Sequence, residues 1–338
     1  MAILVTGGVG FTGSNVVKEL AERGNEVISL DIVPVDDLVE RYVEPWKKSV
    51  TFLKGDIRSK ETVEEVSAYF KIDRIVHTAT YTGYGDQESI NGSSICEANF
   101  QGTVNMLDLA RRLDAKQFIY VSSAAVYMGG GPIEVPISED VVIHTSGFPT
   151  AGAYGFYGIT KLGSELITQR YGHLYGFETA SVRMVQNFGP IERITPYHSR
   201  ISMPGQWTGW AARGETIQAG PFGSGITEGR HVGIDHVYVR DTAAGIAAML
   251  EAPKLPRNEY NIARAEAVWL DDLVSAMKKA APEAKFVDPI PSDDEVKRPG
   301  FVFDNKRMKE DFGFVPKYDM AAALEDFMKW RRDSNFTD

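Results

Sequence analysis

The chain has 338 residues, of which 43% are hydrophobic and 24% charged, a balance typical of a soluble globular protein with one large domain or two joined ones. Its formal net charge of −10 argues against nucleic acid or an anionic membrane as the main partner, and no apolar stretch is long enough to span a bilayer. The single cysteine, Cys96, excludes an internal disulfide, and the first strand leaves no room for a signal peptide, so we expect a cytoplasmic protein.

Apolar runs alternate with helical patterns along the first 184 residues. The runs that predict strands cover 2–6, 26–30, 50–54, 73–78, 117–122 and 179–184. The stretches that predict helices cover 12–23, 60–70, 92–113 and 155–175. Such alternation is typical of βαβ crossovers, so we expect an α/β fold with a doubly wound parallel sheet covered on both faces.

The turn between the first strand and the first helix is rich in glycine and reads Thr6-Gly-Gly-Val-Gly-Phe-Thr-Gly13. Gly7 allows a tight turn, Gly10 lets the backbone approach a pyrophosphate, and Gly13 lets the helix lie close on the sheet. The helix N-terminus then offers N–H groups to the anion. This order of strand, glycine turn, helix and strand predicts a dinucleotide site of the Rossmann type.

The second strand pattern is followed by Asp31, whose carboxylate can accept hydrogen bonds from both hydroxyls of an adenosine ribose. The same charge would repel a 2′-phosphate, and no arginine follows before Arg41 to attract one. The sequence therefore predicts NAD rather than NADP as the cofactor.

The pattern changes after residue 184, where loops rich in Gly, Pro and aromatic residues appear, for example at 205–209, 220–225 and 288–291. Helical patterns return near 240–251, 269–280 and 319–332. Because this material has no obvious core of its own, we expect it to cap the carboxyl edge of the sheet, where such folds bind ligands. Residues 1–184 would form the NAD-binding domain, and 185–338 a smaller, mixed substrate-binding region with some segments returning to the sheet.

A reaction centre is indicated by Tyr157-Gly-Ile-Thr-Lys161, which lies within a helical pattern. Residues four apart share a helix face, so the phenol and the ammonium can reach one site. The ammonium favours the phenolate, which makes Tyr157 a candidate general base for an alcohol. A strand also delivers Ser122 and Ser123 to the carboxyl edge of the sheet, where a hydroxyl can bind the substrate oxygen.

In this order the motifs resemble those of the extended short-chain dehydrogenase/reductase family, in its NAD-dependent epimerase/dehydratase branch. The resemblance runs almost end to end and includes 6–13, Asp31, 55–57, 77–80, Asn99, 102–103, Ser123, 157–161 and 238–241. It implies a Rossmann-type fold, NAD, a sugar-like substrate that can be nucleotide-linked, and a homodimer formed through the helices at 92–113 and 155–175.

The resemblance also implies roles for individual residues. Tyr157 would be the catalytic acid and base, Lys161 would hold the nicotinamide ribose, and Ser123 would polarise the substrate oxygen. NAD would contact Gly7, Gly10, Phe11, Thr12, Gly13, Asp31, Ile32, Asp56, Ile57, Thr78, Ala79, Thr80, Asn99, Val121, Ser122, Tyr157, Lys161 and Asn187. The substrate would contact Tyr81, Thr82, Ser123, Gln186 and Arg298. No metal is expected, and Asn99 could instead be a polar residue of helix packing.

Within the family, the residues after Ser123 narrow the reaction. Members resembling dehydratases carry an acidic pair there, decarboxylating members place a Glu at the second position, and 3,5-epimerising members place a Cys there. This chain has Ala124 and Ala125. The resemblance therefore favours oxidation and re-reduction at one carbon, or simple dehydrogenation.

Two departures weaken the link to nucleotide sugars. The family's substrate-phosphate Asn is Gln186 here, and the Arg-Asp pair that helps hold a diphosphate reads Ile234-Asp235. Without that guanidinium a bidentate phosphate anchor is missing. The candidate substitutes are Arg230, His231, Arg298 and the loop from Arg193 to Arg200 with His198, and Arg298 is the best placed of them by resemblance.

Three functions stay open. The first is a sugar epimerase that retains NAD and reacts through a keto intermediate. The second is a dehydrogenase that exchanges NAD and acts on a smaller polyol, free sugar, hydroxy acid or amino-alcohol, because members resembling threonine dehydrogenase share a similar Tyr-Gly-Ile-x-Lys helix. The third is a non-catalytic NAD-sensing module, which the presence of Ser123, Tyr157 and Lys161 disfavours.

Overall fold

The apolar runs of the first half form one parallel sheet. The computed structural model describes residues 2–83, 86–131, 133–150, 155–219, 232–287 and 298–337. Its strands are β1 (Ala2–Thr6), β2 (Val27–Asp31), β3 (Val50–Lys54), β4 (Ile72–His77), β5 (Gln117–Ser123), β6 (Glu178–Met184), β7 (Gln186–Phe188), β8 (Ile217–Gln218), β9 (Val232–Gly233), β10 (His236–Tyr238), β11 (Glu259–Ile262), β12 (Phe286–Val287) and β13 (Arg298–Pro299).

Seven of these strands make the central sheet in the order β11–β6–β5–β4–β1–β2–β3, and every pairing in it is parallel. The remaining short strands pair two by two, β10 with β7, β12 with β8 and β13 with β9. The chain direction across the sheet reverses between β1 and β4, so loops diverge there and leave a crevice. This confirms the predicted α/β fold with a doubly wound parallel sheet.

Helices cover both faces of the sheet. They are α1 (Phe11–Glu22), α2 (Asp37–Val43), α3 (Lys60–Tyr69), α4 (Asp86–Cys96), α5 (Gly102–Arg112), α6 (Gly155–Tyr175), α7 (Met203–Ala212), α8 (Val239–Glu251), α9 (Leu270–Ala280), α10 (Lys306–Phe312) and α11 (Met320–Ser334). Across the described ranges, none of the helices combines the length and apolarity that crossing a bilayer requires.

The strands are apolar along their whole length because both of their faces are buried. Ile3 and Val5 of β1 join the larger core, whereas Leu4 between them joins a second core on the opposite face. The larger core also contains residues of the second half, such as Trp207 and Phe327. The second half therefore shares the core of the first.

The stretch predicted as one helix over 92–113 is interrupted. It begins earlier, as α4, and passes through a single π-helical turn at Glu97–Gln101 before continuing as α5. The backbone carbonyl of Asn99 in this turn accepts hydrogen bonds from the hydroxyls of Thr103 and Ser164. Such turns cost helical hydrogen bonds and are frequent at functional sites.

The segment 205–209, predicted to be a loop, lies inside the helix α7. Ser202 caps this helix by accepting from the backbone N–H of Gly205, and Pro204 lies in the first turn. A Cβ at Gly205 would stand 2.5 Å from Oε2 of Glu192, so the glycine permits close packing rather than a turn. The loop prediction was wrong because these glycines serve tertiary contacts.

Candidate active site

The carboxyl ends of β1 to β6 open into one cavity of about 1440 Å³. Most of the predicted site residues line it. They are Gly7, Gly10, Phe11, Thr12, Gly13, Asp31, Ile32, Asp56, Ile57, Thr78, Ala79, Thr80, Tyr81, Thr82, Val121, Ser123, Tyr157, Lys161, Gln186 and Asn187. Asn99 and Ser122 are predicted site residues that do not line it.

The glycine turn has the shape that a dinucleotide needs. Gly7 has a φ of +66°, and a Cβ there would stand 2.7 Å from Cα of Ala79. A Cβ at Gly13 would stand 2.0 Å from the carbonyl oxygen of Gly7, so neither position accepts a side chain. Gly10 is the N-cap of α1, and within the described residues no side chain caps that end. The helix N-terminus can therefore bind the pyrophosphate of NAD.

Asp31 ends β2 and lines the same cavity. One carboxylate oxygen accepts from the backbone N–H of Val9 at 3.0 Å, and the other accepts from Val33 at 3.2 Å. Burial raises the pKa of Asp31, while these backbone N–H groups lower it. Each oxygen keeps a further lone pair that can accept from a ribose hydroxyl.

We expect Asp31→Ala to raise the apparent dissociation constant for NAD by about 10- to 100-fold, the range for losing hydrogen bonds to a charged group. The preference for NAD over NADP should also narrow, because the charge that repels a 2′-phosphate is removed. Titration of both cofactors with the wild type, Asp31→Ala and the exposed control Asp37→Ala measures this. An unchanged preference would show that Asp31 does not contact the ribose.

Asp56, one of the predicted NAD contacts, is held by the nearby Arg58. The Arg58 guanidinium donates to both carboxylate oxygens of Asp56, and the shortest distance, from Nη2, is 2.7 Å. This hydrogen bond lowers the pKa of Asp56. Arg58 also lines the cavity, a role that the sequence did not reveal because an arginine beside an exposed turn looks like an ordinary surface charge.

Asn99 supports the cavity wall from behind. Its side-chain oxygen accepts from the backbone N–H of Tyr81 at 2.6 Å and from the Thr80 hydroxyl at 3.1 Å. Its amide nitrogen donates to the Tyr81 carbonyl and to Thr160 on α6. Asn99 therefore ties the 80–81 loop to the helix that carries Tyr157 and Lys161. This arrangement favours the packing alternative for Asn99 over direct contact with NAD.

Tyr157 and Lys161 lie on the first two turns of α6 and are both nearly buried in the cavity wall. The Lys161 ammonium nitrogen is 5.6 Å from the centre of the Tyr157 ring and donates to the Val121 carbonyl at 2.8 Å. Burial lowers the pKa of Lys161 to about 7, and the nearby Glu165 carboxylate opposes that shift. The cation is thus positioned to stabilise a phenolate.

The two serines at the end of β5 have different environments, because successive strand residues point to opposite faces. Ser123 lines the cavity, and its Oγ accepts from the backbone N–H of Ala125 at 3.1 Å. Its own hydroxyl proton can be donated to a substrate oxygen. Ser122 is fully buried, and its hydroxyl has no partner in the part of the chain that the structure describes.

Asn187 lines the cavity beside Gln186 and is oriented by its neighbours. Its side-chain oxygen accepts from the Thr242 hydroxyl at 2.9 Å. Its amide nitrogen lies 3.2 Å from the sulfur of Met184, which is a weak acceptor. The amide nitrogen carries a second N–H, which can donate to NAD as the resemblance implies.

The pair Ile234-Asp235, where the resemblance expects an Arg-Asp pair that helps hold a diphosphate, carries no guanidinium. Ile234 and Asp235 both line the cavity. The Asp235 carboxylate accepts hydrogen bonds from the backbone N–H groups of Arg264 and Ala265, and so it holds that segment of the chain in place. Burial raises the pKa of Asp235 to about 7. Among the candidate phosphate ligands, Arg230, His231 and the Arg298 side chain lie outside the described residues.

A continuous segment roofs the cavity, and the sequence indicated it only in part. Every residue from Ile191 to Met203 lines the cavity, and we call these residues the roof segment. Arg193 forms a 2.5 Å ion pair with Asp36, so it is not an unpaired cation. Further along, the backbone N–H of Thr82 donates to the Tyr197 carbonyl at 2.9 Å. The roof segment is therefore attached on both sides of the crevice.

Among the described residues, no three His, Cys, Asp or Glu side chains come together as metal ligands.

Comparisons with known proteins show which proteins this chain is similar to. The family model described as "NAD dependent epimerase/dehydratase family" matches residues 3–263. A UDP-glucose 4-epimerase of Bacillus subtilis (strain 168) is 28% identical, over 98% of this chain and 97% of its own length. A UDP-glucuronate 4-epimerase of Thermodesulfobacterium geofontis (strain OPF15) is 27% identical, over 73% of this chain and 71% of its own length.

The crystal structure of a UDP-glucose 4-epimerase of Thermotoga maritima with UDP-glucose has the same fold, with a TM-score of 0.78 and 24% identity. That alignment covers 99% of this chain and 100% of the other. The family match, which spans more than half of the chain, confirms the resemblance found in the motifs. The chain belongs to the NAD-dependent epimerase/dehydratase family.

Proposed function

We propose that the protein epimerises a sugar or nucleotide sugar by reversible hydride transfer at a secondary carbon through a keto intermediate. The observation that carries this proposal is that Ser123, Tyr157 and Lys161 line the same cavity as the glycine turn. The two 4-epimerase relatives, which act on UDP-sugars by name, support the substrate class.

In the proposed mechanism, Lys161 stabilises the Tyr157 phenolate, which takes the proton of the substrate hydroxyl and becomes a neutral phenol. Ser123 donates a hydrogen bond to the same substrate oxygen and holds it as charge develops. NAD supplies the hydride acceptor when it is bound. Turning the keto intermediate before the hydride returns inverts one carbon, and Tyr157 then gives the proton back.

The absence of acids beside Ser123 supports epimerisation over elimination. Ala124 and Ala125 occupy the cavity wall next to it, and neither side chain can move a proton. Loss of water would need an acid and a base there. We therefore assign no dehydratase activity to the chain.

A net dehydrogenase is the second candidate. It is favoured by the apolar side chain of Ile234, which lines the cavity where the resemblance to nucleotide-sugar enzymes expects a diphosphate-binding arginine. The test is to incubate the protein with UDP-sugars, free sugars and hydroxy acids and to follow NADH absorbance and product configuration. Inversion without NADH accumulation supports the epimerase. Substrate-dependent NADH formation that requires added NAD supports the dehydrogenase.

We also propose that residues 1–184 bind NAD and carry the catalytic groups, and that residues 185–338 mainly bind the substrate. The roof segment and Ile234 of the second half lie against the first-half site, which supports this division. A cytoplasmic location is proposed as well, since the lone Cys96 is a free thiol.

We propose a homodimer that forms through α4, α5 and α6. On these helices Met106, Leu107 and Leu109 are buried in the core, whereas Phe156, Ile159 and Leu166 are exposed, as is Phe100 in the π-helical turn between α4 and α5. Exposed apolar side chains on neighbouring helices are typical of an association surface. Leu166, 58% exposed, is the clearest of them.

We expect Leu166→Asp to weaken the dimer, because a carboxylate would be buried at the helix contact. Sedimentation velocity across a concentration series measures the change. Tyr69→Asp, on the exposed end of α3, is the control and should leave the assembly unchanged. A wild type that sediments as a monomer at all concentrations would contradict the dimer.

A further inference from the structure

We propose that His198 recognises a hydroxyl group of the ligand bound under the roof segment. The ligand hydroxyl would donate a hydrogen bond to Nε2 of His198. This inference deepens the proposed function, because it names a residue that would recognise the hydroxyl-rich ligand of that reaction. Two hydroxyl sources share this chemistry: the sugar of the substrate and the ribose of NAD.

The position of His198 is set by its backbone and by its neighbours. A tight turn holds it, since its N–H lies 3.0 Å from the hydroxyl of Thr195 and the Thr195 N–H donates back to its carbonyl. Its ring lies 6.1 Å from the ring of Phe11, the residue that follows Gly10 at the predicted pyrophosphate site. The histidine thus lies between the glycine turn, where NAD is predicted to bind, and Thr82, a predicted substrate contact.

The Nε2 atom of His198 is buried and has no hydrogen-bond partner within the described ranges. Most buried polar atoms in folded proteins have a hydrogen-bond partner, because leaving one unsatisfied is unfavourable. His77 shows the ordinary case, since both of its ring nitrogens contact threonine hydroxyls. Nδ1 of His236 also lacks a hydrogen-bond partner within the described residues. Of these two histidines, only His198 lines the cavity.

The neighbouring threonine indicates which nitrogen carries the proton. The Thr82 hydroxyl donates its hydrogen to the Tyr197 carbonyl at 2.9 Å, so it can only accept from Nδ1 of His198, 3.4 Å away. With the proton on Nδ1, the Nε2 atom of a neutral ring carries a lone pair. Burial lowers the pKa of His198 to about 4, which keeps the ring neutral.

A lone pair discriminates between ligand groups. It repels a phosphate oxygen, which also offers lone pairs, and it accepts from a hydroxyl. The geometry therefore argues against a phosphate-binding role for His198 and assigns it to recognition of a sugar hydroxyl.

The test compares three variants of the full-length protein. His198→Phe keeps a ring against Phe11 and removes the acceptor, and we expect a loss of about tenfold in affinity for the ligand that it contacts. His198→Gln replaces Nε2 by a side-chain oxygen and should restore most of that loss. His198→Arg adds a phosphate-binding cation and should weaken binding as much as His198→Phe does.

Two readouts separate the hydroxyl sources. A tenfold rise in the substrate KM with an unchanged NAD dissociation constant supports the substrate sugar, and a rise in the NAD dissociation constant supports the ribose. Unchanged constants in an active His198→Phe variant, or tighter binding by His198→Arg, would overturn the proposal. A wild type that turns over no sugar at all would instead contradict the proposed function, while the NAD titration would still test His198.

Discussion

Tyr157→Phe is expected to lose nearly all turnover while still binding NAD. The change removes one oxygen from a nearly buried ring in the cavity wall and leaves the glycine turn and Asp31 intact. General acid–base catalysis contributes about 10²- to 10⁴-fold, so turnover should fall by that order. Initial rates with the substrate found in the sugar screen, together with NAD titration, measure the two effects separately.

A second tyrosine supplies the matched control. Tyr120 is fully buried, and the centre of its ring lies 5.0 Å from the same Lys161 nitrogen, but it points away from the cavity on β5. Tyr120→Phe should therefore keep turnover within a few-fold of the wild type. Full activity in Tyr157→Phe, or equal losses in both variants, would contradict the assignment of Tyr157.

The parts of this site that are predictable from sequence depend on local chain geometry. Gly7 and Gly13 lie in one short turn. Gly7 has a positive φ and Gly13 lies against the Gly7 carbonyl oxygen, so the geometry of the turn itself explains both glycines. Tyr157 and Lys161 share a helix face because of their spacing alone. The parallel direction of the strands follows from their alternation with helices.

The parts that sequence could not predict depend on contacts between distant segments. The roof segment is held by pairs such as Arg193 with Asp36, which are far apart in the chain. The glycines of α7 resemble loop residues until the packing of Gly205 on Glu192 is seen. The π-helical turn at Asn99 is explained by hydrogen bonds from Thr103 and Ser164, and α6 brings Ser164 there from a separate helix. Neither spacing nor composition contains that information.

The Glu165→Gln substitution is expected to cost about 3–5 kcal/mol of the free energy of unfolding, the range for breaking a buried ion pair. Glu165 lies one turn beyond Lys161 on α6, and its carboxylate receives hydrogen bonds from Nε and Nη2 of Arg183, the shorter at 2.8 Å. Both side chains are almost fully buried. The variant would leave the Arg183 guanidinium buried without a counter-charge.

Urea unfolding at a common NAD concentration measures this loss. The control is Glu22→Gln, which breaks the exposed Lys18–Glu22 pair one turn apart on α1 and should cost about 0.5 kcal/mol or less. A Glu165→Gln variant whose stability falls no further than that control would contradict the role of the buried pair.

The same substitution should also change the pH dependence of turnover. The Glu165 carboxylate opposes the lowering of the Lys161 pKa by burial, so removing it lowers that pKa further. The ammonium is then lost at a lower pH, and with it the charge that stabilises the Tyr157 phenolate. We expect the pH range over which Lys161 is charged, and the part of the rate that depends on it, to shift toward acid. The test measures the rate of Glu165→Gln against pH without denaturant, with Glu22→Gln as the control. A purely structural role for Glu165 would lower the rate without moving its pH dependence.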